Sequence, residues 1–394
     1  MLDLNILKPE IQKFINQNIE ADVSKLALKK NPFSYINYLL ILNQITAKTK
    51  AKHKLPTFFN NTKIIYPSKI SIEQTSSEKT AHFKSALVSG ENLIDLTGGF
   101  GIDDFYFAKK MKNVFHCEIN QELSEIVKHN FQVLKVDNIK CFDQDSYEVL
   151  KSYSEKHFDW IYIDPSRRID TKGKVFMLKD CLPNVPEHLE FYFKYSNNIL
   201  IKTAPILDIS AGLLELSNVK KIHIISLENE VKEILWVLEK NFVSNIKIKT
   251  VNIIKKNSEI FNFTLNENLE IPNYCLPKKY LYEPNAAIMK SGAFNEIALE
   301  FKLDKLHQFS HLYTSEEKKA FPGRIFEIDK CINYTKIEMR NYFENQKANI
   351  TIRNFPETVE AIRKKFKIKD GGSRYCFFTT NVNQEKIVLI CTKI

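Results

Sequence analysis

Several absences narrow the reading of this chain before any motif is considered. No apolar run approaches the roughly 18 residues that a membrane-crossing helix needs. The N-terminus has no basic stretch followed by an apolar core and a small-residue cleavage site, so a cytoplasmic protein is expected, with no membrane partner. The seven cysteines form no Cys-x-x-Cys pair, and Cys117, Cys376 and Cys391 sit in apolar, strand-like runs, which predicts reduced, buried thiols. His307 and His311 have the spacing of two ligands on one helix face, but no third ligand stands near them, and no metal site is expected.

Acid is also in short supply. The 394 residues carry a formal net charge of +10, unevenly placed: +7 over residues 1–90, −4 over 91–271 and +7 over 272–394. Basic ends around an acidic middle suit a polyanionic substrate, because each neutralised phosphate releases counterions. Solubility charge on a lysine-rich background is the alternative. A chain this long exceeds one ordinary core, so two or three domains are expected, and a hydrophobic content of 44% is ample to build them.

One stretch organises the rest. In Asn92-Leu93-Ile94-Asp95-Leu96-Thr97-Gly98-Gly99-Phe100-Gly101-Ile102-Asp103 a short apolar run reads as a buried parallel strand, a glycine turn follows, and helical spacing begins at Asp103. Glycine there lets backbone come close to a nucleotide-type cofactor with no Cβ between. A second strand, Val114 to Glu118, ends in an acid twenty positions after Gly98, the spacing at which a carboxylate meets ribose hydroxyls. NAD and S-adenosylmethionine both fit that pattern. Charge separates them, since Asp95, Asp103, Asp104 and Glu118 would repel a pyrophosphate but suit a sulfonium and an ammonium. The expected cofactor contacts are Asp95, Thr97, Gly98, Gly99, Phe100 and Gly101 of the loop, then Glu118 and Ile119.

Further strands follow in order. Ile139 to Ser146 reads as a third, with Asp145 placed to accept from an adenine amino group and Ser146 beside it. Phe158 to Ile163 is a fourth, ending in Asp164-Pro165-Ser166-Arg167-Arg168, and Asn198 to Pro205 a fifth. A sixth (221–226) and a seventh (234–238) are separated by a link short enough for a hairpin, which makes the last strand antiparallel.

The flanks differ. Residues 1 to about 60 look helical and end in Lys48-Thr49-Lys50-Ala51-Lys52-His53-Lys54-Leu55-Pro56, a run that either grips phosphates or is a solvated basic helix end. Ile64 to Pro67 and Ile70 to Ile72 read as extended pieces. Thr75-Ser76-Ser77-Glu78 has capping-box spacing, with Thr75 as N-cap. Beyond about 272, helices are expected near 294–310, followed by an α+β module from Arg324, with Pro356 in the first turn of its second helix and Gly371-Gly372 past that helix's end.

Taken with Lys54-Leu55-Pro56, Glu73-Gln74-Thr75-Ser76-Ser77-Glu78, Lys202-Thr203-Ala204-Pro205 and Tyr282-Glu283-Pro284, these stretches resemble a bacterial class I S-adenosylmethionine-dependent methyltransferase family with a THUMP-like C-terminal domain. The resemblance implies an α/β, Rossmann-like fold with a seven-stranded sheet and an antiparallel last strand. It divides the chain into a helical N-terminal domain (1–62), a cofactor-binding methyltransferase domain (63–271), a ferredoxin-like segment (272–322) and an α+β THUMP-like, RNA-binding domain (323–394). It also implies that the segment before the first strand folds over the methionine end of the cofactor, which makes Gln74, Ser76, Thr80 and Lys84 candidate contacts. In amine methyltransferases an Asp/Asn-Pro-Pro-aromatic loop holds the target amine and stacks its base. Asp164 and Pro165 match that loop, but Ser166 replaces the second proline and Arg167 stands in the aromatic's place; a guanidinium plane also stacks on bases, while ion pairing is the alternative for Arg167 and Arg168. RNA methylation is the leading expectation. An RNA-binding factor with a degenerate methyltransferase fold, and a methyltransferase for a small molecule or protein, are the alternatives.

Overall fold

The computed structural model describes residues 3–167, 177–255, 257–267 and 270–394. Arg168, named above with the catalytic loop, lies outside them. Among the described residues a 3-10 turn (Leu4–Leu7) and six α-helices precede the first strand: α1 (Pro9–Gln17), α2 (Val23–Ala27), α3 (Tyr38–Lys54), α4 (Pro56–Phe59), α5 (Lys69–Gln74) and α6 (Glu78–Ser85). Strands and helices then alternate through β1 (Asn92–Asp95), α7 (Ile102–Phe107), β2 (Asn113–Cys117), α8 (Gln121–Val133), β3 (Ile139–Phe142), α9 (Ser146–Lys151) and β4 (Phe158–Ile163). Short strands β5 (Ser166–Arg167) and β6 (Cys181–Leu182) pair with each other, and α10 (Val185–Tyr195), β7 (Ser196–Thr203) and α11 (Ile209–Glu215) follow. Asn120, Asp145, Asn184 and Asp208 each accept a backbone N–H at the start of their helices, so short polar side chains set where the helices after the strands begin.

The next strands are β8 (Val219–Leu227), β9 (Glu230–Glu239), β10 (Lys247–Ile254) and β11 (Asn257–Thr264). The large sheet has the order β11-β10-β8-β9-β7-β4-β1-β2-β3. Its β3-β2-β1-β4-β7 run is parallel. Glu228 and Asn229, both with positive φ, close the expected hairpin between β8 and β9 in the backbone conformation that tight hairpins favour. Nine strands rather than seven make up the sheet, because β10 adds in parallel to β8 and β11 turns back along β10.

The chain forms two compact units. The first comprises residues up to Val219 with Trp236–Phe242, and the second comprises Lys220–Leu235 with Val243–Ile394. In the first, Ile41 and Ile45 of α3 and Ile11 and Ile15 of α1 join Phe58, Phe100, Val127 and Phe131 in one apolar cluster, so the N-terminal helices share a core with the glycine loop and α8. Trp236 is fully buried there, donating to Thr203 Oγ1 at 3.0 Å, and a Cβ on Gly212 would sit 2.4 Å from its ring.

The second unit continues with β12 (Tyr280–Pro284), α12 (Ala286–Ser291), α13 (Glu296–Glu300), β13 (Asp304–Lys305), β14 (Tyr313–Ser315), β15 (Gly323–Asn333), α14 (Lys336–Phe343), β16 (Asn349–Arg353), α15 (Val359–Phe366), β17 (Arg374–Thr380) and β18 (Lys386–Lys393). Its seven-stranded sheet runs β13-β14-β12-β15-β18-β17-β16. Phe326, Phe377, Leu389 and Leu281 pack on one face, and Met339, Phe343, Ile362 and Phe366 form a separate cluster from α14 and α15.

Several local expectations need correction. Ile70 to Ile72, expected to be extended, lies in helix α5, which Ser68 caps. Ser77, not Thr75, caps α6, which leaves the Glu78 carboxylate to accept from Thr57 and Tyr106. The third strand stops at Phe142, since Asp145 turns the chain into α9. His307 and His311 lie on no helix: His307 bonds Asn354, and His311, with φ +52°, stacks on Phe294. Thr358 caps α15, which leaves Pro356 outside it, and Lys367 rather than a glycine takes the left-handed position at its end.

Candidate active site

The site is built where β1, β2 and β4 end. Leu96 N–H donates to Tyr162 O at 3.0 Å and Gly98 N–H to Cys117 O at 2.8 Å, so the loop leaving β1 is pinned to both neighbouring strands. The Asp95 carboxylate accepts from Thr97 N–H at 2.7 Å and from the Thr97 hydroxyl at 3.0 Å, and Thr97 Oγ1 in turn accepts the Asp164 backbone N–H at 2.7 Å. Thr97 thereby fastens the glycine loop to the loop after β4.

Two glycines are dictated by the protein itself. A Cβ on Gly98 would lie 2.2 Å from the His116 ring, and Gly101, with φ +72°, would put one 2.6 Å from Phe131. Gly99 is the one that faces the cleft, and its N–H donates to Glu118 Oε2 at 3.1 Å. Asn120 N–H donates to Glu118 Oε1 at 2.7 Å, so two backbone groups fix that carboxylate at the cleft wall.

The cleft encloses about 900 Å³ and is lined by Gln74, Thr97, Gly99, Glu118, Ile119, Asp145, Ser146, Asp164 and Ser166 among the residues expected from sequence. Glu148 and Glu187 add two more carboxylates, and no lysine or arginine is among its described lining residues. The Lys202 ammonium pairs with Asp164 from the end of β7.

Other expected contacts lie behind the cleft rather than on its lining. Phe100 is buried against Phe58 and Tyr66. Lys84 is fully buried, 3.2 Å from Asp103 Oδ1, and it donates to Ser76 Oγ at 3.0 Å. Asp103 also accepts from Tyr162 and Ser76; burial pushes its carboxyl up, but Lys84, Lys202 and these hydrogen bonds outweigh that and hold it below the ordinary range. Burial drives Asp95 and Asp104 well above it, reinforced at Asp95 by the Asp104 and Asp103 charges and at Asp104 by Asp103. Asp104 lies 2.5 Å from the His116 ring, whose pKa burial lowers. Of the four acids expected to crowd the cofactor, Glu118 alone lines the cleft, while Asp95, Asp103 and Asp104 form a buried layer beneath it. Pro165 and Arg167 are not on the lining; Arg167 pairs across to Cys181 in the β5–β6 ladder.

Sequence reasoning passed over one wall. Tyr147 from the start of α9 and Asn184, Glu187, His188 and Tyr192 from the start and body of α10 line the cleft, and Tyr147 stacks on Phe191 at 4.2 Å. The signal was present in Asn184-Val185-Pro186-Glu187, a helix start directly beyond the fourth strand's loop.

Residues 280–322 match a model described as a ferredoxin-like domain, and residues 323–393 match one described as THUMP domain-like. A crystal structure of a candidate methyltransferase from Porphyromonas gingivalis W83 superposes with a TM-score of 0.88 at 29% identity, covering 100% of this chain and 99% of that one. The chain has the class I methyltransferase fold with a THUMP-like C-terminal domain. In that fold the β3-β2-β1-β4-β7-β9-β8 part of the sheet carries the cleft at its carboxyl edge, and β10 and β11 are an extension. An uncharacterized RNA methyltransferase of Mycoplasma mobile is 33% identical over 78 residues, which is 20% of this chain and 21% of that protein. The match therefore spans about a fifth of that curated relative. Among the described residues no cluster of three or more metal-ligating side chains occurs, and no helix is long and apolar enough to cross a membrane.

Proposed function

We propose that the chain is an S-adenosylmethionine-dependent methyltransferase that methylates a base amine of RNA in the cytoplasm. The observation that carries this reading is the charge of the cleft. Glu118, Asp145, Glu148, Asp164 and Glu187 line it and no lysine or arginine is among its described lining residues, an environment that attracts a cation and repels the pyrophosphate of NAD or the phosphates of ATP. Glu118, fixed by Gly99 and Asn120, has the placement to accept from ribose hydroxyls, and Asp145 and Ser146 with Ile119 form the wall for an adenine. Gln74 also lines the cleft, while Lys84 acts through Asp103, which it holds. The cofactor supplies a methyl group already activated on a sulfonium. What remains for the protein is proximity and orientation, worth on the order of 7–11 kcal/mol in favourable cases.

Asp164 accepts a hydrogen bond from the target amine and so aims its lone pair. The amine nitrogen takes the methyl carbon as the carbon–sulfur bond breaks, and its proton passes to water or to Asp164. The aromatic wall of Tyr147, His188 and Tyr192 offers the stacking surface that Arg167, outside the lining, does not. The THUMP domain-like match and the name of the Mycoplasma relative support RNA as substrate, and seven cysteines that form no disulfide among the described residues suit a reducing compartment. Ser166 in place of a second proline favours a second reading, an RNA-binding factor that does not methylate.

Calorimetry with S-adenosylmethionine, NAD and ATP tests the cofactor, with binding of the first alone expected. Tritiated methyl incorporation into unmethylated total RNA then separates the readings. Label in RNA supports the proposal, no label supports the binding factor, and label in protein or metabolites moves the substrate.

A further inference from the structure

The Lys202 and Asp164 pair has no role in the function as stated so far. β4 and β7 run parallel with Ile163 opposite Ile201, so the next residue of each strand, Asp164 and Lys202, falls side by side at the carboxyl edge of the sheet. The Lys202 ammonium meets Asp164 Oδ2, with side chains 12% and 32% exposed. The backbone N–H of Asp164 is separately held by Thr97 Oγ1. The Lys202 charge also helps hold the carboxyl of Asp103 low, and Asp103 bonds Tyr162 and Ser76 and pairs with Lys84. Charges therefore alternate from the buried Lys84 through Asp103 and Lys202 to the acid on the cleft wall.

A partly exposed pair of this kind adds little to stability. Its geometric effect is larger. With the backbone N–H fixed by Thr97 and one carboxylate oxygen fixed by Lys202, the Asp164 side chain has a single orientation and one oxygen left for a substrate donor. Resting on the methyltransferase reading, we infer that Lys202 is a positioning residue, which acts through Asp164 to aim its remaining carboxylate oxygen at one N–H of the target amine. Lys202 itself is absent from the cleft lining and does not touch the substrate.

The full chain with Lys202→Met, Lys202→Arg, Asp164→Asn and the Lys202→Met/Asp164→Asn pair tests this. In methyl transfer to RNA, K202M should lower kcat about a hundredfold, the scale at which misplacement of about an ångström acts. KM for RNA and the S-adenosylmethionine Kd should stay within about threefold, and K202R should recover most of the rate. Because Lys202 acts through Asp164, the double variant should be no slower than D164N. Effects that multiply in the double variant, or a K202M rate equal to wild type, would overturn the inference. A crystal structure of K202M gives an answer independent of activity: the Asp164 carboxylate should leave its position while its N–H keeps Thr97, and an unmoved carboxylate overturns the positioning role. Wild-type protein that transfers no methyl group to any acceptor sinks the methyltransferase reading instead, and leaves that structural comparison to decide whether Lys202 orients Asp164.

Discussion

At the scale of single residues, the acids around the glycine loop divide into those that face the cleft and those that hold it up. Lys84 belongs to the second group. It is fully buried against Asp103, and removing one member of such a pair leaves a buried charge uncompensated. Lys84→Met should therefore destabilise the protein by about 3–5 kcal/mol, read from urea unfolding, and a loss below about 1 kcal/mol would show that Tyr162 and Ser76 suffice for Asp103. His223 in β8 gives the molecule a pH dependence. Burial, with Lys249 and Lys221, lowers its pKa from 6.5 to about 4, so the unfolded chain takes up a proton in that window and the native state does not. Stability is present above pH 6.5 and is lost as pH falls toward 4. Between pH 7 and 4.5 the loss from this one group is about 2–2.5 kcal/mol, and His223→Gln should remove that share of the difference between urea midpoints at the two pH values.

At the scale of elements, most of the parallel sheet was legible because its strands are continuous apolar runs. What was not legible came from competition between nearby signals. Ser77 sits two residues from Thr75, another plausible cap, and the geometry of the chain, not composition, chose between them. The glycine loop was located correctly, but its physical reason was only partly readable: Gly98 and Gly101 answer to His116 and Phe131, side chains brought there by the fold. The Tyr282-Glu283-Pro284 stretch is another case. Glu283 is buried and accepts from Arg324 Nε at 2.6 Å and from Arg353 at 2.8 Å, so one carboxylate ties β12 to β15 and β16. Glu283→Gln should cost about 2 kcal/mol, less than a fully buried pair because both arginines are about a third exposed, with the loss seen as earlier melting of the 280–393 region by hydrogen exchange.

At the scale of the whole molecule, the net charge of +10 does not translate into equivalent phosphate contacts. The N-terminal lysine run is used internally: Lys48 bonds Asn16, Lys50 pairs with Glu73, Lys52 with Glu20, and Lys54 donates to the Ile72 and Glu73 carbonyls. In the Arg363–Lys369 run, Arg363 is held by Asp370 and Ala348, and Lys365 by Glu357. Lys364 and Lys367 have no such partner among the described residues. Changing these two to Ala should flatten the salt dependence of RNA binding by about 1.4 at about 0.7 per single-strand contact. Changing Lys50 and Lys52 should leave the slope as it is, and the reverse pattern would place the RNA contacts at the N-terminal run.

The short return of Trp236–Phe242 into the first unit has a consequence for descent and engineering. A single crossover after Val219 would hand on a first unit without the indole that fills the space above Gly212 and bonds Thr203, a gap of the size that costs about 3–5 kcal/mol. A crossover after Phe242 would instead carry Lys220–Leu235 away from the rest of its own unit. The two units therefore pass between genomes, or between designed chimaeras, only as one inheritance, and a partner domain cannot be exchanged here by joining two genes end to end.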